Sequence, residues 1–271
     1  MTDIIKKRLV SYGARTEVCI MKNGKYLNVR RMAIIGILGA VSIVLGFTPL
    51  GFIPIGPTRA TTMHIPVIIA ALAEGPIVGA SVGLIFGLFS IFQAITNPTP
   101  VSVVFYNPIV SVLPRVLIGI TSYYAYVAVK KMGNKRTLLM LNIIWLAILA
   151  YLCYGIYLNI VNSDGILLIL MNILLIILVL LMSYFSFKRM GSQSLDVIIA
   201  TIVGTLTNTV GVLSAIYLLH AEKFVAGLGL DISAARKTIF GLAFTNGIPE
   251  VIIAIIVVVS VIGALKLKER E

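Results

Sequence analysis

The sequence predicts an all-α integral membrane protein of about eight spans, most of them carrying scattered polar residues and two forming a plain aliphatic hairpin. Three observations carry that prediction. Hydrophobic residues make up 59% of the 271 positions and charged residues only 12%, with a mean hydropathy of +1.05, far outside the range of water-soluble domains. Apolar runs long enough to cross a bilayer recur from residue 32 to residue 265, which leaves no room for a sizeable soluble domain. The formal net charge of +12 gathers at the ends of those runs. Lys6, Lys7, Arg8, Arg15, Lys22, Lys25, Arg30 and Arg31 precede the first, Lys130, Lys131, Lys135 and Arg136 follow a later one, Lys188 and Arg189 another, and Lys266, Lys268 and Arg270 close the chain. This positive-inside pattern puts a multi-pass protein in the cell membrane with both termini in the cytoplasm. It also accounts for the charge by a lipid bilayer and leaves no call for nucleic acid.

In chain order, residues 1–31 form a basic arm, either a helix lying on anionic lipid or a disordered segment. No small-residue cleavage pattern follows, so the first apolar segment reads as a signal-anchor. It runs from about Met32 to Pro49, and Ala33, Gly36 and Ala40 make a smooth strip on it, suited equally to internal packing and to a subunit interface. Gly51, Pro54, Gly56 and Pro57 then exclude a regular helix. The loop ends polar, with Thr58, Arg59, Thr61, Thr62 and His64, and reads either as an external connector or as a lid over a cavity. A short helix, Met63–Ala73, stops at Glu74-Gly75-Pro76, and Ile77–Ile95 crosses back with Gly75, Gly79, Gly83 and Gly87 as a packing ladder. After Gln93 and Asn97 the uncharged loop through Pro100 reads as external.

The span Val104–Val129 contains Asn107-Pro108 and Pro114-Arg115. A charge so far from either end is costly unless paired or solvated, so Arg115 is either an anion anchor or the partner of a buried carboxylate, for which Glu250 is the candidate. Leu138–Ile160 and Ile166–Phe187 are almost purely aliphatic, joined by Asn162–Gly165, and read as a lipid-facing hairpin without chemistry. In Leu195–His220, Thr201, Thr205 and Asn208 fall at i, i+4 and i+7, one face that points into the bundle. An external segment follows, in which Asp231-Ile232-Ser233 starts a short helix. Then Thr245–Pro249 leads to Glu250, expected just inside a final span ending near Leu265.

On that alternation Gln93, Asn107, Asn208, Asn246 and Glu250 fall in the outer half of the bundle, beneath the external loops, as in a pocket that captures a polar small molecule from outside. Several chemistries are missing: no P-loop, HExxH or GxSxG, and no carboxylate pair at helical spacing within a span. Two histidines, His64 and His220, argue against a histidine-built metal site, so metal ligands: none. Cys19 and Cys153 have no redox or ligand spacing and read as apolar filler. No inverted repeat relates the halves.

The succession IPIGPTRATTMHIPVIIAALAEGP, GLIFGLFSIFQA, FYNPIVSVLPRVLIGI, GTLTNTV and TNGIPEVIIA resembles the substrate-binding S component of an energy-coupling-factor (ECF) vitamin transporter, most closely the pantothenate-type branch. The resemblance covers Met32–Val129 and Leu195–Leu265 and divides the chain into the arm 1–31, four S-component helices over 32–129, an inserted transmembrane hairpin over 130–193, and two last helices with a cytoplasmic tail over 194–271. It implies a six-helix bundle that binds a water-soluble vitamin from outside and is not an enzyme. It further implies docking, through Ala33, Gly36 and Ala40, onto a transmembrane coupling subunit with two ATPases, which use the ATP, so that this chain needs no cofactor. The substrate set expected is Arg59, Thr62, His64, Gln93, Asn107, Arg115, Asn208, Asn246 and Glu250. The alternatives are another S-component vitamin, such as folate, riboflavin or a pyridoxine-like compound, and a proton-coupled carrier using Glu250.

Overall fold

A helix in lipid must satisfy its backbone internally, and most of the described residues do so. The computed structural model describes residues 28–55, 58–132, 134–161, 166–188 and 192–268; the arm expected through residue 31 lies outside them up to residue 27, as do residues 162–165. The chain divides at Ala33/Ile34, and residues 28–33 are the entry to the first helix. Among the described residues six helices are long and apolar enough to cross a membrane: Val29–Phe47, Pro76–Thr96, Pro108–Met132, Arg136–Val161, Leu195–Gly227 and Thr238–Leu265. With a 23-residue aliphatic helix and one buried short helix they make the expected all-α membrane fold.

Helix α1 (Val29–Phe47) buries Gly39, Ser42 and Gly46 at i, i+3 and i+7. A Cβ on Gly46 would collide with Phe89 and Met63, so the contact demands glycine. The opposite side stays open: Gly36 and Ala40 are exposed, and a Cβ on Gly36 would meet nothing within 4 Å.

Where a loop was expected there is a small hairpin, β1 (Phe52–Ile55) and β2 (Thr58–Thr61), antiparallel with Phe52 opposite Thr61 and Pro54 opposite Arg59. Its base is tied off by the Thr62 N–H on the Gly51 carbonyl at 3.1 Å and the Thr62 hydroxyl on the Leu50 carbonyl at 2.6 Å. Helix α2 (Ile65–Glu74) is only 10 residues, about 15 Å at about 1.5 Å per residue, too short to cross alone. It is buried from Ile65 to Ala71 and sits at the centre of the main apolar cluster with Phe86, Ile118 and Val258.

Gly75, at φ 101°, makes the turn into α3 (Pro76–Thr96), a conformation that a side chain would strain. The remaining ladder glycines let α3 meet α5 backbone to backbone: Gly79 lies against Gly119, Gly83 against the Arg115 carbonyl, and Gly87 against Val112. A 3-10 turn (Ser102–Tyr106) and a single-turn helix α4 (Pro108–Ser111), capped by the Asn107 side chain on the Ile109 N–H at 2.9 Å, lead into α5 (Leu113–Met132).

Helices α6 (Asn134–Val161) and α7 (Ile166–Lys188) pack on each other. They are not wholly lipid-facing as expected: Leu141, Trp145 and Leu152 of α6 are buried with Ile198, Ile202, Val251 and Ile252. Helix α8 (Ser192–Gly227) breaks its helical geometry at His220, where the span was expected to end. The Asp231 carboxylate caps the next turn by accepting the Ser233 N–H at 2.9 Å, a bond that lowers its pKa.

A larger correction concerns α9 (Ala235–Lys268), which runs without interruption through Pro249. Glu250 was expected just inside a shorter last span. Glu250 instead lies near the middle of a 34-residue helix. Continuing the helix keeps the flanking amides and carbonyls bonded where water is absent, which outweighs the one donor that Pro249 removes.

Candidate functional site

Four of the expected residues, His64, Arg115, Asn208 and Glu250, are buried polar groups in the bundle interior, contributed by α2, α5, α8 and α9. His64 immediately precedes α2 and is fully buried; its Nε2 shares a hydrogen bond with the Thr205 hydroxyl of α8 at 3.1 Å. Glu250 accepts at both oxygens: Oε1 takes the Thr61 backbone N–H at 2.8 Å and Oε2 the Thr209 hydroxyl at 2.6 Å. Thr205 and Thr209 were visible in the run Thr205–Thr209, yet only Asn208 was singled out from it for the site. Their spacing of four places both on the face that meets α2 and α9.

Arg115 is 7% exposed. Its Nη1 donates to the Val110 carbonyl at 2.7 Å, and its guanidinium lies 5.3 Å from the Phe86 ring centroid and 5.9 Å from that of Phe105. Rings at that distance stabilise a desolvated cation. Neither ring was singled out from the sequence. No direct ion pair joins Arg115 to Glu250 among the described residues: the guanidinium bonds the Val110 carbonyl and the carboxylate bonds Thr61 and Thr209.

Polar atoms in this interior are not all satisfied. His64 Nδ1, Arg115 Nε, Asn208 Oδ1 and Asn246 Oδ1 are buried without a hydrogen-bond partner among the described residues, as is Trp145 Nε1 on α6. Such groups cost about 1–3 kcal/mol each when left unmade, so a set of them in one bundle points to a polar ligand. Arg115 Nε–H donates, His64 Nδ1 donates or accepts according to its tautomer, the two amide oxygens accept, and Arg115 supplies the positive charge.

The other expected residues have structural partners. Gln93 Nε2 donates to the Gly46 carbonyl at 3.0 Å, tying α3 to α1, and the Thr62 hydroxyl closes the hairpin base. Asn107 caps α4, and its Nδ2 contacts His220 Nε2 at 3.2 Å, bracing the α8 kink. The Arg59 side chain lies outside the described residues; its backbone pairs with Pro54. Among the described residues no three His, Cys, Asp or Glu side chains gather to hold a metal ion. A cavity of about 570 Å³ opens between α6, α8 and α9, lined by Ile148, Tyr151, Leu206, Phe240 and Ile248 among others. It includes none of the unsatisfied groups and is too apolar to compensate a desolvated charge, so it is not the candidate site.

Fold and interior together define a multi-pass membrane protein with a polar centre. The family model described as ECF transporter, substrate-specific component, matches residues 30–167, and the chain belongs to that family. The resemblance read from the residues is therefore shown, and the match runs on through α6 to the first residues of α7. The pantothenic acid transporter PanT of Lactococcus lactis subsp. cremoris is 25% identical over 223 residues, covering 77% of this chain and 79% of that one. The pantothenate transporter PanT of Leuconostoc mesenteroides subsp. mesenteroides is 36% identical over 77 residues, 28% of this chain and 37% of the relative.

Proposed function

We propose that this protein captures pantothenate from outside the cell and delivers it inward by docking onto a coupling subunit that carries two ATPases. The observation that carries this reading is the buried Arg115, held between two aromatic rings with its Nε unengaged. Pantothenate has a carboxylate, an amide and two hydroxyls. The carboxylate meets Arg115 in a charge-assisted bond, and Asn208, Asn246 and His64 bond the amide and hydroxyls. Asn107, Gln93 and Thr62 shape the site through the backbone they hold, and Arg59 sits on the hairpin that covers it. The names of the two relatives support the choice of vitamin over folate, riboflavin or a pyridoxine-like compound.

The exposed strip of Gly36 and Ala40, with Ala33 a turn earlier, is the docking face for the coupling subunit. Both termini lie in the cytoplasm, the hairpin faces outward, and ATP is consumed by the partners alone. The test is thermal stability in detergent against a panel of water-soluble vitamins. A ligand at a hundredfold excess over its dissociation constant stabilises by about 2.7 kcal/mol. A shift with pantothenate alone is the expected result, and a shift with a different vitamin discards the branch. A proton-coupled carrier built on Glu250 would instead accumulate substrate when reconstituted alone under a proton gradient.

A further inference from the structure

We propose that Glu250 is a positioning residue whose carboxylate latches the β1–β2 hairpin shut against α8 and α9. An isolated two-stranded hairpin is marginal in water, and this one has four residues per strand. It therefore depends on what holds it from outside, and β2 packs on α9. Glu250 meets it at the backbone, taking the Thr61 N–H on one oxygen while Thr209 orients the other. With both oxygens engaged by the protein, the carboxylate is placed for holding and not for contacting an anionic solute.

The strand register makes the Thr61 N–H available. In an antiparallel pair, opposed residues alternate between those that exchange hydrogen bonds and those whose N–H points away. Thr61 donates to Glu250, so the Phe52–Thr61 pair is of the second kind. Two residues on, Pro54–Arg59 is of the same kind, the position at which a proline removes no ladder bond. The Pro54 and Glu250 positions thus belong to one design: the pairing turns the Thr61 N–H outward, and the Glu250 carboxylate of α9 collects it.

Hydrogen–deuterium exchange of the full-length protein, without ligand, tests the latch. Glu250→Met keeps the volume and removes the acceptor, and it should speed exchange of the amides over 52–62 by tenfold or more while α3 keeps its protection. Glu250→Gln retains a carbonyl acceptor and should stay within about threefold of the parent. An unchanged hairpin in Glu250→Met, or a Gln variant as open as the Met one, overturns the proposal. Should Glu250→Met not fold, Thr209→Val decides, since loss of the orienting hydroxyl should speed hairpin exchange and an unchanged rate sinks the latch. Pantothenate dissociation, measured on the same variants, addresses the capture reading separately. Dissociation should quicken wherever the hairpin opens; an opened hairpin with unaltered dissociation retains the latch and removes the hairpin's role as the lid.

Discussion

At the scale of single residues, a buried polar atom without a partner has a measurable signature in the empty protein and another in the loaded one. Asn208 illustrates it: its side chain is 5% exposed and its Oδ1 unpartnered. Asn208→Leu should leave the unliganded protein as stable as the parent or more so, because it removes a desolvated acceptor, while weakening pantothenate binding by about 1 kcal/mol or more. Paired thermal melts with and without vitamin read both effects. Arg115 should behave differently. Arg115→Ala strips the carboxylate of its only proposed cation and should cost about 2–5 kcal/mol of binding by calorimetry. Arg115→Lys should recover little, since an ammonium cannot reproduce a planar group braced at 2.7 Å on Val110 and set against two rings. Binding that survives Arg115→Ala would mean that the guanidinium serves the fold through its proximity to Glu250.

At the scale of elements, two glycines on neighbouring helices make opposite predictions. A Cβ on Gly83 would strike the Arg115 carbonyl, with backbone on both sides and no flexible side chain to yield. Gly83→Ala should therefore destabilise by about 1–3 kcal/mol in a denaturation series and weaken vitamin binding as α5 is pushed away. Gly36 faces open space; Gly36→Leu should leave stability and vitamin binding unchanged but abolish uptake once the ATPase module is present. Most elements were legible beforehand because lipid enforces length and apolarity: the Asp231 cap and the glycine ladder both follow from local sequence, whereas α8 was expected to end at His220 and instead kinks there. Local sequence was misleading at Gly247-Ile248-Pro249, which has the composition of a loop in water but stays helical in α9. The hairpin was legible only as non-helical, since pairing over so short a stretch has no apolar alternation to announce it.

At the scale of the whole molecule, the site's residue types were readable but their partners were not. Arg115 and Glu250 were the obvious opposite charges, yet Glu250 bonds Thr61 across 189 residues of sequence, a choice that only tertiary packing makes. The same scale separates site from support. Among the described residues a single unsatisfied interior group, Trp145 Nε1, lies on α6 or α7, and α6 buries Leu141, Trp145 and Leu152 against α8 and α9. Replacing residues 134–188 by a short polar linker should therefore lower the melting temperature while pantothenate binding persists; loss of binding with an intact fold would place part of the site on that pair. The β1–β2 hairpin has one more consequence. A two-stranded ribbon ordinarily exposes two rows of unmatched amides, each a template on which a second chain can grow. Here Pro54 contributes no amide to one margin and Glu250 occupies the Thr61 amide on the other, so each margin offers a neighbouring copy one amide fewer to pair with.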